Sequence, residues 1–136
     1  MSAPPVASLV RRVVDEDLRP IEVDPLVNPG DEGLYAWLVN DRLSGSSDVS
    51  VGLARMLPGQ RHLRHQHPAT SEFFFVIKGR CKFELAGTVV SGDLGTALYV
   101  PAGTSHALWN PFRRPCDLVF GYPVNNYDLI ATVYEE

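Results

Sequence analysis

From Gly33 onward, short apolar runs recur along the chain and turn residues close each of them. Leu34 to Val39 is the first, and Val49 to Leu57 the second, with Val49, Val51, Leu53 and Leu57 on alternate positions before Pro58-Gly59. Phe73 to Ile77 ends at Lys78-Gly79. Cys81 to Leu85 ends near Gly87, and Val89-Val90 precedes Gly92-Asp93. Leu98 to Val100, Ala107 to Trp109 and Leu118 to Tyr122 each stop at or beside a proline, and Leu129 to Tyr134 offers a last strand. Short strands at close spacing with glycine and proline turns predict an all-β antiparallel sandwich or barrel. No stretch after residue 33 has a convincing helical period. Phe73-Phe74-Phe75-Val76-Ile77 is apolar on both faces, so the pattern buries it on both sides, either by a second sheet or by a second subunit.

The first residues read differently. Val6 to Val14 suits a short helix or an arm, and Pro20, Pro25 and Pro29 break up the stretch after it. Residues 1–32 are therefore expected to be an N-terminal arm packing on the barrel or on a partner, with residues 33–136 as the barrel domain.

Composition narrows the function. The 136 residues are 45% hydrophobic and 21% charged, with a formal net charge of −4, which suits one globular core and gives no basic face for nucleic acid. No segment approaches the length of an apolar membrane span, and Met1 to Arg19 lacks the apolar stretch of a signal peptide, so a cytoplasmic location is expected. Cys81 and Cys116 form no CxxC pair and read as small core residues. His62 and Arg55 read as surface side chains. Arg55 would hold a carboxylate or enolate if it pointed inward.

The chemistry lies in three histidines and one glutamate. His65 and His67 are two apart, which puts both imidazoles on one face of a strand. Glu72 follows a short turn-like stretch, and His106 follows the tight turn Pro101 to Ser105. In a barrel both can come back beside the first two. Three imidazoles and a carboxylate suit a single divalent first-row metal such as Fe, Mn, Ni or Zn, with positions left open for a substrate.

Gly59-(five residues)-His65-x-His67-(four)-Glu72-(six)-Gly79 resembles the first motif of the cupin superfamily. Gly95-(five)-Pro101-x-Gly103-(two)-His106-(three)-Asn110 resembles its second. Every motif position matches, and Arg80 to Leu94 separates the two as in small single-domain cupins. The resemblance implies a jelly-roll β-barrel with a metal inside, and it implies that His65, His67, Glu72 and His106 are the ligands. It also implies a homodimer. The expected function is a metal-dependent enzyme acting on a small organic molecule, in first place an Fe(II)-type dioxygenase. A non-redox isomerase, cyclase or lyase and a ligand-binding module without turnover are the alternatives. Glu72 is the candidate catalytic base, because it is the one ligand able to leave the metal and take a proton while all three imidazoles stay. Strand parity puts Phe74, Val76 and Leu108 inside and Trp109 outside. Met56, Phe83, Tyr99, Phe120 and Tyr122 are further candidates for the pocket wall.

Overall fold

A computed structural model describes residues 4–21 and 30–135. Eleven strands are present among them: β1 Arg19–Pro20, β2 Leu34–Val39, β3 Ser50–Met56, β4 Arg61–Gln66, β5 Glu72–Lys78, β6 Cys81–Leu85, β7 Thr88–Gly92, β8 Ala97–Val100, β9 His106–Trp109, β10 Cys116–Tyr122 and β11 Val133–Tyr134. They form two antiparallel sheets. The first has the order β1-β2-β3-β10-β5-β8 and the second β11-β4-β9-β6-β7. The expected all-β jelly roll is what the chain adopts. Among the described residues helical structure is confined to single turns, such as α1 at Asp41–Ser44, where the Leu43 amide donates to the Asn40 side chain. Among the described residues no helix is long and apolar enough to cross a membrane.

The core lies between the sheets. Met56, Phe74, Val76, Cys81, Phe83, Leu98, Val100, Leu108, Cys116 and Leu118 form one buried cluster, and both cysteines in it are free thiols. Phe74, Val76 and Leu108 face inward as parity requires, while Trp109 is half-buried on the outer side. In β3 the alternate apolar positions do not form the inner face. Ser50, Gly52, Ala54 and Met56 are the buried residues, and Val51 and Leu53 stand on the opposite side. The reason is space. The Phe120 ring lies across Gly52, where a Cβ would meet its Cζ at 2.2 Å, so small residues had to take the inner positions.

Of the stretch Val6 to Val14, expected as a short helix or an arm, Val6–Leu9 forms a 3-10 turn. Beyond it, Arg11 Nε donates to the Trp37 carbonyl, Leu18 is buried and β1 pairs with β2. Pro25 and Pro29 lie outside the described residues. Near the other end, the run expected as one strand from Leu129 begins as a 3-10 turn at Tyr127–Leu129, and only Val133–Tyr134 pairs, with β4.

Two motif positions show why the turns need their residues. Gly79 has φ +68°, and a Cβ there would lie 2.3 Å from the Pro115 carbonyl oxygen. Asn110 is buried at a strand end. Its Nδ2 donates to the carbonyls of Met56 (2.9 Å) and Arg114 (2.8 Å), and its Oδ1 accepts from the Phe112 amide (2.9 Å). Gly79→Ala is expected to destabilise the fold by roughly 2 kcal/mol or more, because neither the backbone angle nor the space accepts a side chain. A urea midpoint equal to that of the wild type would show that the turn can relax.

Candidate metal centre

Three strand ends meet at one mouth of the barrel. His65 lies near the end of β4 and His67 one residue past it, Glu72 opens β5 and His106 opens β9. In the second sheet His65 is paired directly with His106. Glu72 comes from the facing sheet, where it pairs with Val100. All four side chains are buried, at 2–7% exposure, and one potential ligand atom from each lies within 4.8 Å of the others. The structure thus brings together all four residues that the sequence singled out.

Their hydrogen bonds fix which nitrogen faces the centre. His65 Nδ1 lies 2.6 Å from the Leu63 carbonyl and His106 Nδ1 lies 2.9 Å from the Thr104 carbonyl, in each case two residues back along the chain. His67 Nδ1 lies 3.2 Å from the Ala131 carbonyl and 3.1 Å from Thr132 Oγ1. A carbonyl oxygen can only accept, so each Nδ1 must carry the proton. Each Nε2 then presents its lone pair. His106 Nε2 is 3.1 Å from Glu72 Oε1, and His67 Nε2 is 3.4 Å from the same oxygen without the alignment of a hydrogen bond. Without an ion, His106 satisfies Glu72 only by carrying a second proton, while His67 Nε2 stays unpaired. One cation at the convergence point satisfies all four groups, so the donor set fits a metal ion, and the cluster can hold one.

The electrostatics agree with that use. Burial pushes the His65 imidazole down, and the neighbouring His106 adds to this, to about 4, so its lone pair is available at neutral pH. Burial pushes the Glu72 carboxyl up, but the imidazoles of His106 and His67 beside it pull it down to about 2, which keeps it ionised. Burial likewise lowers His106, and the Glu72 carboxylate more than reverses that.

A cavity of about 410 Å³ opens above the cluster, with His65 and Glu72 in its wall. Its sides are aromatic. Trp37 meets Phe120 at 5.3 Å and Tyr127 at 6.0 Å between ring centroids, Tyr122 meets Tyr127 at 5.8 Å, and the Tyr122 ring stands edge-on to His67 at 5.6 Å. Phe74, Phe120 and Tyr122 were legible as wall candidates. Tyr99, by contrast, is exposed on the outer face, and Met56, Phe83 and Leu108 are core below the cavity. Tyr35, Trp37, Tyr127 and Tyr134 were not singled out, although Tyr35, Trp37 and Tyr134 sit in apolar runs and the alternation of β2 carried the signal for the first two; Tyr127, between Asn126 and Asp128, gave none. Arg55 stays outside. Its guanidinium pairs with Asp117 (2.8 and 2.9 Å) and Asp15 (3.0 Å), and ties the arm to the first sheet. His62 is a correction, because it lines the cavity and its Nε2 is shut from solvent.

The C-terminal segment is the other part that the sequence did not reveal. Besides the Ala131 and Thr132 contacts to His67, the Tyr134 ring lies 5.6 Å from that of His65, and Glu135 accepts from Ser105 Oγ (2.6 Å) and Gln66 Nε2 (3.0 Å). This tail therefore straps the mouth where the histidines meet.

Comparison with known proteins places this geometry. The Cupin domain family matches residues 52–122. Over 109 residues the chain is 32% identical to "Polyketide synthase CurC" of Streptomyces cyaneus, covering 80% of this chain and 67% of that one. Among solved structures, a predicted oxalate decarboxylase from Thermotoga maritima superposes with a TM-score of 0.69 at 17% identity, over 84% of this chain and 99% of that one. An uncharacterised protein with a double-stranded β-helix domain from Klebsiella pneumoniae gives 0.64 at 19% identity, over 100% and 98%. At such identities the structural likeness is one of fold.

Ending the chain after Ile130 removes the acceptors on His67 Nδ1. The affinity for added zinc(II), measured by competition with a chelator, is expected to fall about tenfold to a hundredfold. Unchanged affinity would mean that His67 is oriented without the tail.

Proposed function

The chain belongs to the cupin family, and on that footing we propose that it is a metal-dependent enzyme acting on a planar enolic or phenolic small molecule of the polyketide kind. The observation that carries this reading is the joining of two features, a three-histidine, one-carboxylate cluster and a cavity walled by aromatic rings directly above it. Flat rings favour a flat, partly apolar guest, and Asp31, Asn40, Arg42, Asn126 and Asp128 in the lining offer it polar partners besides the cluster. The name of the Streptomyces relative points to the same class, since polyketides carry the ketones and enols that such a site would polarise.

His65, His67, Glu72 and His106 are the proposed ligands. A first-row metal held there supplies Lewis acidity towards substrate oxygens, and iron adds redox chemistry with O2. The protein's own part is to hold the guest against the rings, exclude water and move protons. Glu72, kept ionised by its imidazole neighbours, is the proposed catalytic base, taking a proton from the substrate onto its carboxylate. Dioxygenation is the reaction proposed for an iron-bearing protein. Isomerisation, cyclisation or elimination belongs to one bearing zinc or nickel.

Metal content of protein purified without chelator is the first test. About one equivalent of iron per chain, absent from a His65→Ala/His106→Ala variant, together with oxygen uptake on phenolic substrates, is the result expected for the dioxygenase. Zinc or nickel at that level moves the chemistry to the non-redox reactions. No metal in either protein, and none taken up on reconstitution, overturns the reading. In the active protein Glu72→Gln is expected to cost about a hundredfold or more in turnover. Full turnover in a variant that keeps its metal would remove Glu72 as the base.

We also propose that a second copy of the chain covers the outer face of β5. Phe74 and Val76 are buried by the second sheet, but Phe73, Phe75 and Ile77 on the other face are 41–43% exposed, with Tyr99 of β8 beside them. A row of exposed aromatic and aliphatic residues on a sheet face is costly in water and fits a self-complementary interface. Sedimentation is expected to give a dimer for the wild type and a monomer for Phe75→Asp. A monomeric wild type would refute it.

A further inference from the structure

The loop after β2 is fastened to the segment after β10 at the mouth of the barrel. Val39, the last residue of β2, pairs with Val51, and Ser50 pairs with Tyr122 at the end of β10. The helical turn α1 therefore starts at the end of the first sheet where Glu72 opens β5. Its backbone is tied down on several sides. The Asp41 amide donates to the Asn125 carbonyl at 2.9 Å, and Asn126 Nδ2 donates to both carboxylate oxygens of Asp41, at 3.2 and 3.1 Å. Asn125 Nδ2 donates to the Ser46 carbonyl at 3.1 Å, and Asn40 Oδ1 accepts from the Leu43 amide at 2.8 Å.

On this anchored turn sits Arg42, the one arginine or lysine among the described residues that line the cavity. Its guanidinium makes no hydrogen bond, ion pair or ring contact to a described residue. Arg11, Arg19, Arg55, Arg64 and Arg80 differ, since each has a carbonyl, a carboxylate or a ring as partner. Three carboxylates share the lining with Arg42. Asp31 accepts from the Leu63 amide, Glu72 faces the imidazoles, and Asp128 lies beyond ion-pair distance of the guanidinium. Asn40 adds a second donor. It is 7% exposed, lines the same cavity, and its Nδ2 donates to no described residue. A buried amide N–H without a partner is destabilising unless a guest satisfies it. A planar guanidinium fork and an amide donor together suit a carboxylate.

We propose that Arg42, with Asn40 Nδ2 as a second donor, binds a carboxylate carried by the substrate at the end away from the metal cluster. This rests on the planar enolic or phenolic class proposed above and narrows it to acids. The hydroxyl end then lies at the cluster, the flat ring against Trp37, Phe120 and Tyr122, and the carboxylate at the rim. Arg42 is exposed, so it meets an anion without the large desolvation cost of a buried charge. For the same reason the pairing is modest and weakens with added salt. Arg42 selects and orients the guest and takes no part in proton transfer.

The test compares two phenolic acids of different length, 3,4-dihydroxybenzoate and 3,4-dihydroxycinnamate, each with its methyl ester, on the zinc-loaded protein. At neutral pH only the acids carry the charge. The wild type is expected to bind at least one acid about fivefold more tightly than its ester. In Arg42→Gln the preference is expected to vanish while the zinc content holds. Arg42→Lys, which keeps the charge but loses the fork, is expected to restore part of it. Equal affinity for acid and ester in the wild type, or a preference that survives Arg42→Gln, would overturn the role of Arg42 while leaving the phenolic class standing. Failure of the zinc-loaded wild type to bind any of the four probes would overturn the phenolic reading, and the carboxylate site with it.

Discussion

The site depends on where three protons are placed. Each imidazole of the cluster spends its Nδ1–H on a backbone carbonyl, of Leu63, Thr104 or Ala131, and a carbonyl leaves no choice of tautomer. The Nε2 lone pairs therefore face one another and face a carboxylate, an arrangement that one cation at the centre would satisfy. For His65 and His106 the acceptor is two residues back in the same strand end, so the local backbone that bends the chain into the mouth also orients the ring. His67 lies beyond its strand and has no such local acceptor. The tail supplies one from 64 residues away.

That division explains how the two sheets share the work. The second sheet carries the imidazole of His65 opposite that of His106, in direct register. The first sheet carries Glu72 and most of the strand residues in the cavity wall, on β2, β5 and β10. Small residues in β3 are what make room for that wall, since Gly52 and Ala54 leave space for Phe120 and the rings next to it. Packing and function thus compete for the same inner positions. The sheet resolves this by keeping its core cluster below the site and its aromatic residues above.

Much of this was legible because it depends on spacing. The two-residue step from His65 to His67, the turns marked by Gly79 and Gly103, and the inward parity of Phe74 and Leu108 are consequences of strand geometry alone. The features that escaped depend on breaks in that geometry or on contacts distant in sequence. The bulge at Leu63 and Arg64 reverses the parity of His62, and only the carboxylate of Asp31, 32 residues from Leu63, shows why the bulge persists. The alternate valines and leucine of β3 do not mark its inner face, because hydrophobicity does not say which face has room. The tail was hidden for a related reason: Ala131 acts through its backbone oxygen, which no side-chain pattern records.

The same arrangement sets the energetics of an ion at this site. A carboxylate and three imidazoles buried together are expensive unless their charges and lone pairs are matched. Metal-free, the cluster is left with an unpaired Nε2 on His67 and a Glu72–His106 contact that requires an extra proton. An ion that binds the native state relieves both defects. Because the unfolded chain does not hold the four ligands together, the binding free energy becomes folding free energy, about 4 kcal/mol at a free concentration a thousandfold above Kd. The strand ends and the tail are anchored on the ligands or on residues within one or two positions of them. The stabilisation conferred by an ion would therefore be felt first at the mouth, and least in the core cluster beneath it.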